Sequence, residues 1–171
     1  MQQEVVTLFD FLPYVRSIYP LTKKLKFYSS DEHKKQFPNE GSNWPGFRTE
    51  DLNRCCPFLY VHILTLLEKS IKMKYAEYKK IDMCCHLRLE EDDSKDWIHT
   101  DDSDTAIIYL SATNLNSGTD FYDDQENTIA SVKFIQGSCV FFKSGIKHRS
   151  IGNHGHNMED GRMTLNVFMF K

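Results

Sequence analysis

Apolar residues recur along this chain with two different periods, and the switch between them divides it. Pro57 suits the first turn of a helix, where its missing N–H is not needed. After it, Phe58, Val61, Leu64, Leu67 and Ile71 fall at three- and four-residue steps. That spacing makes one apolar stripe and predicts a helix over about 57–72, laid across a sheet. From Ile81 the period drops to two. Ile81, Met83, Cys85, Leu87 and Leu89 alternate with Asp82, Cys84, His86, Arg88 and Glu90, the pattern of a half-buried strand. Strand then follows strand. Residues 105–111 are almost all β-branched, aromatic or apolar; 120–122 form a short strand after a turn at Gly118; 129–135 and 138–142 flank a Gln136-Gly137 turn. In 162–170, Met163, Leu165, Val167 and Met169 alternate with Arg162, Thr164, Asn166 and Phe168.

Ahead of the long helix, residues 7–13 predict a short strand running into a turn, and 12–19 a helix that Pro20 ends. The stretch 34–49 carries Pro38, Gly41, Pro45 and Gly46, which predicts an irregular loop. Trp44, Phe47 and Arg48 lie in that loop, either to touch a substrate or to pack beneath the loop. Helices first and many short strands afterwards predict an α+β fold. A double-sheet jelly roll is the natural way to close so many short strands. The 171 residues fit a single domain, with a helical amino-terminal support over about 1–75 packed on a jelly-roll core over about 76–171.

Composition narrows the function. A net charge of −3 gives no electrostatic footprint for nucleic acid or for an acidic membrane surface. No apolar run approaches the roughly 20 residues that span a bilayer, and Met1-Gln2-Gln3-Glu4 lacks the basic start of a secretory signal. The five cysteines, Cys55, Cys56, Cys84, Cys85 and Cys139, are odd in number. Two adjacent pairs among them suit neither a disulfide framework nor zinc spacing. The expectation is a reduced, cytoplasmic protein.

The chemistry concentrates in His99-Thr100-Asp101, His148 and Arg162-Met163-Thr164. On an extended strand His99 and Asp101 share a face, so both reach one metal ion. Two neutral imidazoles and one carboxylate can take one face of Fe(II) and leave the opposite face open. An arginine on a following strand offers a planar fork for a carboxylate. A His-x-Asp pair alone fits an acidic surface loop equally well, and His148 alone fits a loop cap. His154 and His156 have ligand-like spacing but sit in a Gly-rich polar loop. His86 reads as structural, and the acidic run 90–93 as a solvated loop.

Six elements in order extend this pattern: His99-Thr100-Asp101, Tyr109-Leu110-Ser111, Ser117-Gly118-Thr119-Asp120-Phe121, the run 136–141 (Gln-Gly-Ser-Cys-Val-Phe), His148, and Gly161-Arg162-Met163-Thr164. From about Met83 onward the chain resembles the Fe(II)- and 2-oxoglutarate-dependent oxygenases, above all their prolyl-hydroxylase-like branch. Pro45-Gly46-Phe47-Arg48 is similar to a stretch in small bacterial and viral members. The resemblance implies a double-stranded β-helix core with His99, Asp101 and His148 as iron ligands. It implies Arg162, Thr164 and Tyr109 as partners of the distal carboxylate of 2-oxoglutarate, and O2 as the second co-substrate. It further implies hydroxylation of a peptide residue or small metabolite, with release of succinate and CO2. The carboxylate at Asp101 is what hydroxylases keep and family halogenases replace. Three positions depart from the family pattern: Ser111 for Asn, Ser117 for Gly, and the insert 152–157 before Arg162, which leaves Arg149 as a rival anion partner. Two other readings stand beside this one, a cupin-like metalloenzyme working without 2-oxoglutarate and a catalytically silent jelly-roll binding module.

Overall fold

The computed structural model describes residues 5–40 and 43–171; the first four residues, and Gly41 of the expected loop, lie outside them. Among the described residues the helices are α1 (Val15–Thr22), α2 (Ser30–Gln36), α3 (Leu52–Cys55) and α4 (Pro57–Ile71). The strands are β1 (Val5–Leu8), β2 (Phe27–Ser29), β3 (Phe47–Thr49), β4 (Lys80–Arg88), β5 (Asp104–Tyr109), β6 (Asn114–Tyr122), β7 (Thr128–Phe134), β8 (Cys139–Phe142), β9 (Lys147–Ile151) and β10 (Arg162–Phe170). They form two antiparallel sheets, a major one in the order β1-β8-β5-β10-β4-β3-β2 and a minor one in the order β7-β6-β9. This is a jelly-roll-like core, with α1 and α4 covering the outer face of the major sheet.

The two-residue period explains that layering. Met83, Cys85 and Leu87 of β4 and Met163, Leu165, Val167 and Met169 of β10 join Val15 of α1 and Leu59, Ile63 and Leu67 of α4 in one apolar cluster. On the inner face, Ile107, Tyr109, Val140 and Phe142 of the major sheet meet Phe121 and Phe134 of the minor sheet in a second cluster. The inner face of β4, β3 and the start of β10 carries polar side chains instead, and the site lies there. Gly118 lets β6 and β7 close up: a Cβ at that position would stand 2.0 Å from the Val132 carbonyl oxygen.

Several local expectations change. The buried stripe of α4 is Leu59, Ile63 and Leu67, while Phe58 is 85 % and Val61 60 % exposed. The helix is apolar on more than one side, so periodicity admits both faces, and contact with the sheet selects one. Helix α1 starts later than expected and carries Pro20 inside it. Leu12 is held instead by donating its N–H to the Gly137 carbonyl (2.9 Å). Pro20 removes a single donor, and the last turn still closes through Lys23 N–H to Tyr19 O at 3.2 Å. The expected loop over 34–49 begins inside α2 and ends in β3, which pairs with both β2 and β4. The amino-terminal support is therefore not purely helical, since β1, β2 and β3 extend the major sheet.

Candidate metal centre

His99 and His148 meet through a single antiparallel bridge beside β9. His99 N–H donates to His148 O (3.0 Å) and His148 N–H to His99 O (2.8 Å). Asp101 follows in a loop rather than on the expected strand. Its backbone carbonyl accepts Gly145 N–H (3.0 Å), and its Oδ2 accepts the Thr105 hydroxyl (3.0 Å). Asp101 Oδ1 then stands 3.9 Å from His99 Nε2, and Oδ2 stands 3.6 Å from His148 Nε2. One donor atom from each of the three residues lies within 4.8 Å of the others.

The two imidazoles are set for coordination by the same device. His99 Nδ1 lies 3.0 Å from the Trp97 carbonyl and His148 Nδ1 lies 3.0 Å from the Ile146 carbonyl. A carbonyl only accepts, so each Nδ1 carries the proton and each Nε2 keeps its lone pair toward the site. Burial lowers the pKa of His148 against the opposing pull of Asp101, favouring the neutral ring a metal needs. His154 and His156 stand apart from this cluster: His154 caps Gly152, and His156 faces Glu90.

Behind the trio runs a narrow cavity of about 40 Å³, lined by Arg48, His86, Arg88, Thr105, Ile107, Ser150, Arg162, Thr164, Asn166 and Phe168 as well as the trio. That is room for about three waters. At His99, Asp101, Arg48, Arg88 and Phe168 it opens into an outer cleft of about 530 Å³. Arg162 lines the inner cavity only and is almost fully buried. Its Nε donates to Ser117 Oγ (3.3 Å) and its Nη2 to the Gly118 carbonyl (3.0 Å). The guanidinium also lies over Phe134 and Tyr109, 5.3 and 5.9 Å from the ring centroids. Burial pushes its pKa down to about 10, so it remains a cation at neutral pH. Among the described residues no carboxylate pairs with it. Thr164, two residues on, shares its face and donates to Asn166 Oδ1 (2.8 Å).

Not every expected residue reaches the cavity. The Tyr109 hydroxyl bonds Thr119 (2.9 Å), and Tyr109 is absent from the lining of the inner cavity. Burial raises its pKa to about 12, keeping it a neutral phenol. Phe47 packs into the apolar cluster on the outer face, away from Arg48, because neighbouring strand residues point to opposite faces. Trp44 and Arg48 do line the outer cleft. Arg149 points away from His148 and lines neither space.

Residues that the sequence reading passed over complete the wall. His86, expected to be merely structural, faces the cavity; its Nε2 lies 2.9 Å from the Pro45 carbonyl, and burial holds its pKa well below the ordinary imidazole value. Gly46 makes that approach possible, since at φ +77° a Cβ would meet the Leu87 carbonyl at 2.3 Å. Arg88 is locked to Asp96, both side chains almost wholly buried. Asp96 also accepts Asn153 Nδ2 (3.1 Å). The acidic run is accordingly solvated only in its first half: Glu90 and Glu91 are exposed, whereas Asp92 is buried and accepts Leu89 N–H, and Asp93 accepts Asn153 N–H. The alternation along β4 was the available signal for His86 and Arg88.

No family model and no curated protein matches the chain by sequence. Solved structures do match. A prolyl-4-hydroxylase from Pseudomonas putida aligns over 99 % of this chain and 94 % of its own, at 14 % identity and a TM-score of 0.56. The Trichoplax adhaerens prolyl hydroxylase, solved with a hypoxia inducible factor peptide, covers 99 % and 84 % at 12 % identity and TM-score 0.60. HygX from Streptomyces hygroscopicus, solved with nickel, 2-oxoglutarate and hygromycin B, covers 99 % and 84 % at 11 % identity and TM-score 0.59. The chain has the fold of the 2-oxoglutarate–Fe(II) oxygenases. Within that fold, the resemblance noted over the second half of the sequence extends structurally to nearly the whole chain. The amino-terminal third, which carried few motifs, is part of the same likeness.

Proposed function

We propose that this protein is an Fe(II)- and 2-oxoglutarate-dependent oxygenase, with His99, Asp101 and His148 as the metal ligands and a hydroxylation as its reaction. The observation that carries the reading is the pairing of two imidazoles, both protonated at Nδ1, with a carboxylate held by Thr105, at the mouth of a cavity with an uncompensated arginine at its other end. The strand order supports it. β4-β10-β5-β8 and β7-β6-β9 form the two sheets of the jelly-roll-like core, and the His99 bridge lies beside β9, an arrangement compatible with a double-stranded β-helix.

The residues fit the group they would hold. Nitrogen and carboxylate donors on one face suit Fe(II) with open positions opposite. Arg162 supplies a charge-assisted fork for the far carboxylate of 2-oxoglutarate, and Thr164 a hydroxyl beside it. Arg88 does not compete for that anion, because Asp96 already neutralises it. Tyr109 sits one layer back, supporting the Arg162 guanidinium with its ring face. When bound, the metal activates O2 so that R–H, O2 and 2-oxoglutarate become R–OH, succinate and CO2. The protein's share is to orient both acids and exclude water. His86, held neutral and bonded to Pro45, adds no further positive charge beside Arg162 and Arg48.

Anaerobic titration of Fe(II) and 2-oxoglutarate into the protein tests the reading through the visible charge-transfer band of the chelate. The band is expected in the wild type and lost in His148→Ala, whose circular dichroism stays native. Iron bound without the band would move a cupin-like metalloenzyme ahead; binding of neither would leave a jelly-roll binding module.

A further inference from the structure

Arg48 is the one arginine of the site with neither an ion pair nor a hydrogen bond among the described residues. It sits on β3 opposite His86, so its side chain joins the polar inner face of the major sheet. Its guanidinium carbon lies 4.5 Å from the centroid of Trp44 and 5.7 Å from that of Phe168, which fixes it between two rings. Arg48 Nε and Trp44 Nε1 are both buried donors without a hydrogen-bond partner among the described residues. Leaving such groups unpaired costs about 1–3 kcal/mol each, more for a charged one, so a pair of them beside a cleft calls for an acceptor. Arg162 serves the inner cavity alone, whereas Arg48 lines both that cavity and the outer cleft. The cleft also holds His99 and Asp101, so a molecule lying in it reaches the metal centre. At about 530 Å³ it is the size of a small-molecule site. Of the acids on its wall, Asp96 is spent on Arg88 and Asp101 faces the two imidazoles, and Arg48 is the cation there without an ion pair among the described residues.

We propose that Arg48 binds a carboxylate of the prime substrate, so that the substrate is a small carboxylic acid of amino-acid size. This rests on the oxygenase reading for the chemistry but not for the binding. The planar guanidinium, clamped by Trp44 and Phe168, offers a carboxylate two parallel N–H donors. Anchored there, the acid lies along the outer cleft with its far end directed at His99 and Asp101.

Both tryptophans of the chain, Trp44 and Trp97, line this cleft, so intrinsic fluorescence reports its occupancy. The experiment titrates the twenty L-amino acids and their carboxamides, with and without Fe(II) and 2-oxoglutarate under nitrogen, into wild type, Arg48→Gln and Arg48→Lys. The expected result is an acid that binds roughly tenfold or more tightly than its amide, loses that preference in Arg48→Gln, and regains part of it in Arg48→Lys. Equal binding of acid and amide, or undiminished binding to a folded Arg48→Gln, overturns the proposal. So does silence from every acid in wild-type protein that forms the chelate band. If Arg48→Gln loses the band itself, Arg48 anchors the keto acid and the assignment is wrong. A wild type without the band defeats the oxygenase reading alone, since the metal-free titration still decides whether Arg48 prefers a carboxylate.

Discussion

On one face of β4 and β10, Met83, Cys85, Leu87, Met163, Leu165 and Val167 are buried under α1 and α4; on the other, His86, Arg88, Arg162 and Thr164 are buried to within 6 % exposure. The same two strands, with residue pairs such as Leu165 with Cys85 and Thr164 with His86, thus divide into a face that stabilises and a face that, on the oxygenase reading, binds. Burial does not separate them. The first face gains free energy from every methyl group removed from water. The second holds Arg162 as a cation without a carboxylate and a histidine kept neutral by burial, both of which cost stability unless something compensates them. A buried polar face on a strand whose other side is apolar gains little from packing alone, which supports reading it as a site.

Substitutions that cross this division should separate fold from binding. Asp96→Ala leaves Arg88 buried and unpaired, which should cost about 3–5 kcal/mol; chemical denaturation measures it, and Arg88→Met in the same background should recover much of the loss. Leu165→Ala, on the apolar face, should cost about 2–5 kcal/mol while leaving 2-oxoglutarate affinity unchanged at a temperature where the variant is folded. Arg162→Met should do the reverse, weakening 2-oxoglutarate roughly tenfold to a hundredfold without lowering the melting temperature of the apo protein. If Arg162→Met melts far below wild type, the guanidinium serves the fold and the contrast between the faces is wrong.

The smallest effect concerns pH. His86 has its folded pKa lowered well below 6.5, so the unfolded chain takes up a proton first as pH falls. Its contribution is present above the ordinary imidazole value and is lost as pH drops through the folded one. Melting temperatures of His86→Met should therefore fall less steeply than those of wild type below about pH 6.5; parallel curves would place His86 in contact with solvent.

Much of the site was legible because its residues carry their chemistry in their identity and spacing. His99-x-Asp101, a distant His148 and the alternating strand beginning at Arg162 stood out by their donor types, although Asp101 reaches the cluster from a loop and not from the strand that the two-residue spacing suggested. His86 and Arg88 were on the polar side of an equally clear alternation, but that side reads as solvent-facing until a second sheet covers it. Phe47 and Arg48 show the limit in another way. Side by side in a stretch read as a loop, they looked alike as candidates, yet the pairing of β3 with β4 sends one into the core and the other to the site. Phe58 and Val61 failed for a related reason, since an all-round apolar helix does not say which face the sheet will take.

The sequence by itself determined the local periods, the mixture of helix and strand, and the candidate metal and anion donors, all of which rest on residue type and local spacing. The tertiary structure decided which face of each element is inside, that His99 joins His148 through two backbone hydrogen bonds, and that Asp96 neutralises Arg88 while Arg162 and Arg48 have no carboxylate partner among the described residues. These are contacts between residues far apart in the chain, set by sheet order and by the free energy of burying whole faces at once, and no local pattern encodes them.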